Sequence, residues 1–149
     1  MVDRRIGGAS VVTLGGVLML VGTFLPWLRS GARDRASYTI FDLVERLGFA
    51  PGGVIAWSLR LWPLVPLLLV VVVTTAWSVA TGHLRWWVPA VLAMVAAVWV
   101  GGTSVAVLMA PDIALFRVGV GPTVTLVGTV VLAAGSVALR PAASSEPSA

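Results

Sequence analysis

The chain has 149 residues, of which 58% are hydrophobic and only 11% charged, with a mean hydropathy of +1.00. A soluble domain carries about 25% charged residues, so an ordinary water-soluble globule does not fit. The absence of cysteine excludes disulfides and thiolate chemistry, and a single histidine, His83, cannot by itself hold haem or zinc.

No cofactor or metal is therefore expected. The ten basic residues are all arginine and the net charge is +4. They are scattered among loops and form no continuous basic face, so no nucleic-acid partner is expected.

In chain order, four apolar runs without charged residues cover residues 6–28, 61–81, 86–110 and 118–139. Each meets the roughly 20 residues that a helix needs to cross the hydrocarbon core, where unpaired backbone groups rule out irregular structure. Prolines mark the borders. Pro63 and Pro66 open the second run, Pro89 the third and Pro122 the fourth, at positions whose N–H would lack an internal partner anyway. Pro111 and Pro141 follow the third and fourth runs. Tryptophans at the run ends read as headgroup-level residues, with Trp27, Trp57 and Trp62 on one side and Trp77, Trp86 and Trp87 on the other. Trp99 lies mid-run and reads as a packing residue. The first run follows Asp3-Arg4-Arg5, as in a signal peptide, but it is too long and lacks a small-residue cleavage site; a retained helix is expected.

The expected fold is an all-α membrane protein, a four-helix transmembrane bundle over residues 1–140, with a long first loop at 29–60. A Pro/Ser/Ala tail at 141–149 reads as disordered. Within the loop, 38–49 has the pattern of a short amphipathic helix. Thr39 and Asp42 stand in capping-box positions, and Gly48 and Pro51 provide a stop. Ile40, Phe41, Leu43, Val44 and Leu47 share one face, with Asp42, Glu45 and Arg46 on the other. That apolar face would shield the helix ends, or contact lipid or a partner. Arg29, Arg33 and Arg35 cluster just before it, placed to anchor the chain at the interface or to meet anionic lipid headgroups.

Glycine spacing is the most specific pattern. Gly8, Gly15 and Gly22 are seven apart in the first run, as are Gly121, Gly128 and Gly135 in the fourth. Such spacing keeps one seam facing a neighbour, and small residues let backbones approach. The first and fourth helices are therefore expected to pack together. Ala93, Ala97 and Gly101 form a stripe on the third, and the second, with its aliphatic 67–73 stretch, reads as lipid-facing.

Absent residues narrow the function. None of the four runs contains an ionisable side chain, although ion-coupled transporters usually need one. Small four-span multidrug transporters share the outline, but their essential first-helix Glu is missing. Asp42 and Glu45 read as a solvated face instead of an acid–base pair, and His83 sits in a surface turn.

Val21-Gly22-Thr23-Phe24-Leu25-Pro26-Trp27-Leu28 with its following Arg/Ser/Gly loop, and Gly119-Val120-Gly121-Pro122, resemble small uncharacterised four-span membrane proteins of actinobacterial type. The resemblance implies an envelope-facing membrane protein and no activity. The expectation is a non-enzymatic structural or accessory subunit of the plasma (inner) membrane, in contact with a membrane-protein partner or with further copies of itself. The alternative is a small channel or carrier for an uncharged or zwitterionic solute. An even number of spans puts both termini on one side. Arg4-Arg5 beside the first span favours the cytoplasm, although the arginine count (four at that end against six at the other) favours the reverse.

Overall fold

A computed structural model gives the protein's structure and describes residues 2–30, 33–39, 60–109 and 117–140. It is mostly helical. Helix α1 (Val2–Phe24) leads into strands β1 (Pro26–Ser30) and β2 (Arg33–Ala36). A 3-10 turn, Trp62–Leu64, opens helix α2 (Val65–Ala80). Helix α3 (Trp87–Met109) is interrupted by a π-helical turn at Ala97–Gly101. Strand β3 (Arg117–Val118) precedes helix α4 (Gly121–Ala138). Among the described residues, four stretches are long and apolar enough to cross a membrane: Arg4–Phe24, Trp62–Ala80, Trp87–Met109 and Gly121–Ala138.

The largest contact joins α1 and α4. They run antiparallel, so both described chain ends lie at one end of the bundle, with Gly8 level with Leu139, Gly15 with Leu132 and Gly22 with Thr125. A Cβ at Gly128 would come within 2.5 Å of the Met19 nitrogen, and one at Gly135 within 2.6 Å of the Val12 nitrogen. Backbone therefore touches backbone from both sides, a distance that only glycine permits. Ala9, Val12 and Met19 fill the spaces between glycines and are fully buried.

Helix α2 lies along another face of α1 and buries Val65, Leu69, Val72, Ala76 and Val79. Their alternating steps of four and three form a narrow apolar seam, while Leu67 and Val70 point outward. The expectation of a lipid-facing second helix thus holds for one side only. Trp77 reaches across to donate its indole N–H to Thr13 Oγ1 at 3.1 Å. The helix ends at Gly82, whose φ of +81° is the left-handed conformation that glycine adopts without penalty. His83 N–H then donates to Ser78 O and Gly82 N–H to Val79 O, the paired bonds of a Schellman stop.

Helix α3 packs on α4 and α2 through Ala93, Ala96, Val100 and Ser104. Gly101 meets Thr129, whose Cγ2 would lie 2.9 Å from an added Cβ. Among the described residues, the hydroxyls of Thr103, Ser104, Thr125, Thr129 and Ser136 donate to the carbonyl four residues earlier, which satisfies them inside apolar surroundings.

Two borders differ from the sequence expectation. The first run was expected to be helical to residue 28, but α1 stops at Phe24 and residues 26–30 are extended. Pro26 disfavours helix in the residue before it and lacks an N–H. The fourth run was expected to start at 118, but Val118 is in a strand and α4 begins at Gly121, with Pro122 in its first turn. The segment expected at 38–49, the turn around Asp112, Trp57 and the tail at 141–149 lie outside the described residues, apart from 37–39. Those three are already helical, so Thr39 lies inside the turn instead of capping it.

Replacing Gly128 or Gly135 by Ala should destabilise the fold by about 1–3 kcal/mol through overpacking against backbone. Gly7→Ala and Gly102→Ala, with nothing within 4 Å of the added methyl, should be neutral or gain up to about 1 kcal/mol of helix propensity. Thermal melts of the four purified variants check the contrast.

Candidate functional site

The end of a helix leaves its last four carbonyls without internal partners. At the end of α1 these groups build a small polar module. Leu25 N–H donates to Val21 O at 3.1 Å. The Trp27 indole N–H donates to Gly22 O at 2.9 Å, and Ser37 Oγ donates to Thr23 O at 2.7 Å. Trp62, at the entrance to α2, donates its indole N–H to Ser37 Oγ at 3.1 Å. Side chains from β1, from the residue after β2 and from the start of α2 thus converge on one helix terminus.

The strands make this possible. β1 pairs antiparallel with β2 and, on its other edge, with β3, giving the order β2-β1-β3. The register slips between Pro26 and Leu28, and a bulge of this kind re-aims a side chain; the residue concerned is Trp27, which is 1% exposed. Gly119 lies against Pro26 O and donates its N–H to Trp27 O at 2.8 Å. Gly121 leaves room for the indole ring itself, since a Cβ there would come within 2.7 Å of Trp27 Nε1.

Behind the sheet lies an aromatic row. Trp27 and Trp62 meet edge to face with centroids 5.6 Å apart, and Trp62 and Trp99 do the same at 6.3 Å. Tyr38 stacks on Phe24 at 5.1 Å. Trp27 and Trp62 stand at span ends, as expected, and are buried in the protein core, where each indole N–H has a buried acceptor. Trp99 packs on the core as expected, but its Nε1 and the Tyr38 hydroxyl are buried without a hydrogen bond of ordinary geometry among the described residues. Burial raises the Tyr38 pKa above its ordinary value of 10.0, with the nearby Thr23 side chain opposing part of the rise. The phenol therefore stays neutral at physiological pH.

The sheet carries the arginines. Arg29 stands opposite Asp34 on one side and Arg117 on the other, and Leu28 stands opposite Arg35 and Val118. Successive rows face opposite ways, so the sheet presents arginine on both faces. Arg33 pairs with Ser30 at the far end of the hairpin. Of the other expected contacts, Ile40, Phe41, Val44 and Leu47 lie outside the described residues. The glycines named from the sequence lie at the α1–α4 contact, apart from Gly101 on α3. Ala93 is buried, and Ala97 is half-buried.

Sequence reasoning missed the sheet, Ser37 and Tyr38. One signal was present: the Ser30–Arg33 pair leaves Gly31-Ala32 between the strands, and a Gly-X pair between extended segments suits a two-residue hairpin. Among the described residues, no three His, Asp or Glu side chains come together to hold a metal. Compared with known protein families, curated proteins and solved structures, the chain has no match.

Ser37→Ala removes the donor to Thr23 O and the acceptor for Trp62 and should cost about 1–3 kcal/mol. Tyr38→Phe keeps the stacking and deletes a buried hydroxyl that makes no hydrogen bond of ordinary geometry among the described residues, so its melting temperature should equal or exceed that of the parent. Because the folded pKa is raised, Tyr38 leaves stability unchanged below the unfolded pKa near 10 and lowers it above that, and Tyr38→Phe should remove this alkaline loss. Melting curves at pH 7 and above pH 10 test both variants.

Proposed function

We propose that this chain is a four-span integral membrane protein of the plasma (inner) membrane. In this reading it is a non-enzymatic accessory subunit that presents its sheet-bearing end to a membrane-protein partner or to a second copy. The observation that carries the membrane reading is the outward side of the helices. Val17 on α1, Leu67 on α2, Val98 on α3 and Val130 on α4 are each at least half exposed. A soluble monomer does not leave apolar surface on this scale uncovered, whereas a bilayer covers it. The layout also fits the likeness to four-span proteins of actinobacterial type.

The accessory role is supported by how the polar structure is distributed. The buried hydroxyls within the spans, those of Thr23, Ser104, Thr125 and Ser136, are turned back onto their own helices, and no ionisable group lies mid-span to couple a solute to an ion. The sheet, by contrast, is fastened to three helix ends and projects arginines. It is a stiff surface suited to an acidic partner or to anionic headgroups. The preferred orientation places this end outside and both termini in the cytoplasm.

Two measurements test the reading. The chain has no cysteine, so single replacements report sidedness cleanly. A membrane-impermeant maleimide should label Thr39→Cys on intact cells and His83→Cys only after permeabilisation; the reverse pattern inverts the orientation. Gentle extraction with a tag at Ala149 should then co-purify a stoichiometric membrane partner or a defined homo-oligomer, and a lone monomer would sink the accessory role.

One observation favours the carrier alternative. The π-helical turn places Trp99 with a buried indole N–H that has no hydrogen-bond partner among the described residues, and such turns recur at functional sites. If the protein moves an uncharged or zwitterionic solute, liposome flux should be measurable and should fall at least tenfold in Trp99→Phe. Equal flux in the two proteins removes this alternative.

A further inference from the structure

The opposite end of the bundle, where both described chain ends lie, carries a second arrangement. Arg5 of α1, Arg85 of the α2–α3 turn, and Trp86 and Trp87 line an open cavity of about 320 Å³, closed on the bundle side by Val79 and Leu84. Arg140, just beyond α4, lies over the Trp86 ring with its guanidinium carbon 5.3 Å from the centroid. Arg140 also lies in the wall of a second cavity, of about 240 Å³, between α3 and α4. That groove is lined by Ala93 and Ala97 on one helix and by Ala133 and Val137 on the other, and is almost wholly apolar. The two spaces meet at the Trp86–Arg140 pair.

From this geometry we infer a binding site for one anionic phospholipid. The phosphate sits among Arg5, Arg85 and Arg140, and an acyl chain lies in the α3–α4 groove. The inference rests on the membrane reading above and adds to it a specific occupant at the end away from the sheet. Charge argues for it: three guanidinium groups gather here. Among the described residues, the guanidinium groups of Arg5 and Arg85 have no ion-pair or hydrogen-bond partner. Guanidinium groups bind phosphate oxygens through paired N–H donors, and basic pockets between spans at headgroup level are where anionic lipids are held. Shape argues for it as well. The alanines of α3 and α4 leave a groove where larger side chains would have closed the helix pair, and its charged end lies at the cavity that would take the headgroup. Met94 stands in the same groove wall, and its flexible thioether adapts to a mobile chain.

The test uses the purified, delipidated full-length chain in detergent and native mass spectrometry, with phosphatidylglycerol and phosphatidylcholine of identical acyl chains as probes. One phosphatidylglycerol should bind at least tenfold more tightly than phosphatidylcholine. The double variant Arg85→Ala/Arg140→Ala should reduce that preference to within twofold, while Arg60→Ala, just ahead of the turn that opens α2 at the other end of the bundle, should leave it intact. Ala133→Leu, which fills the groove, should weaken binding of the lipid but not of glycerol phosphate. Equal binding of the two lipids to the parent protein, which needs no variant, overturns the inference. So does a loss with Arg60→Ala as large as that of the double variant, since the attraction would then be a general effect of charge. Full competition by glycerol phosphate, with Ala133→Leu binding lipid normally, would show a free-anion site and overturn the lipid assignment. Recovery of the tagged chain in the membrane fraction is scored separately, so a failure of the membrane reading is distinguishable from a failure of this site.

Discussion

Helices α1 and α4 touch backbone to backbone, and most of the remaining architecture depends on that approach. Where Gly15, Gly22, Gly128 and Gly135 stand, any larger residue would push the axes apart. At the observed separation, the strand that leaves α1 and the strand that enters α4 come within pairing distance, so β1 finds β3. Trp27 can then fold under Gly121 and close the end of α1. In an apolar surrounding the attraction comes from dispersion and close contact. A seam of this kind is sensitive to one methyl group in a way that an aqueous core is not.

A second constraint follows at the end of α1. Its terminal carbonyls cannot be left bare next to an apolar bundle. The chain answers with an indole, a hydroxyl and a second indole in series, from Trp27, Ser37 and Trp62. The sheet is therefore an integral part of the helix cap. The two ends of the bundle differ accordingly. One end is closed by hydrogen bonds and aromatic edges, whereas the other is left open around Arg5, Arg85 and Trp86.

Helix count, the glycine spacing and the span borders other than the end of α1 and the start of α4 were legible in the sequence because they depend on composition and period along one segment. The starts of α2 and α3 fell within a residue or two of where Pro63 and Pro89 pointed. The sheet was hidden because its third strand has only two residues, Arg117 and Val118, and takes its partner from a segment about ninety positions away. Trp27 and Trp62 were assigned to the headgroup level because tryptophan near a span end is usually found there. Nothing in either local sequence reveals that Gly121 and Ser37 hold a buried place for them. The π-helical turn around Trp99 was similarly invisible, since Gly101, which ends it, was read only as part of a small-residue stripe. At the candidate site, Arg29, Arg33 and Arg35 were found by charge, while Ser37 and Tyr38 had no distinguishing pattern.

The order in which the chain is made gives the glycine seam a further meaning. Helix α1 is the first span to leave the ribosome, and the mate that covers its glycines is the last. About a hundred residues separate them, which at typical elongation rates is roughly 5–20 seconds. Through that interval the glycine groove of α1 lacks the helix that covers it in the finished fold. Assembly of this protein thus ends with the closing of that groove, and only then can β3 complete the sheet.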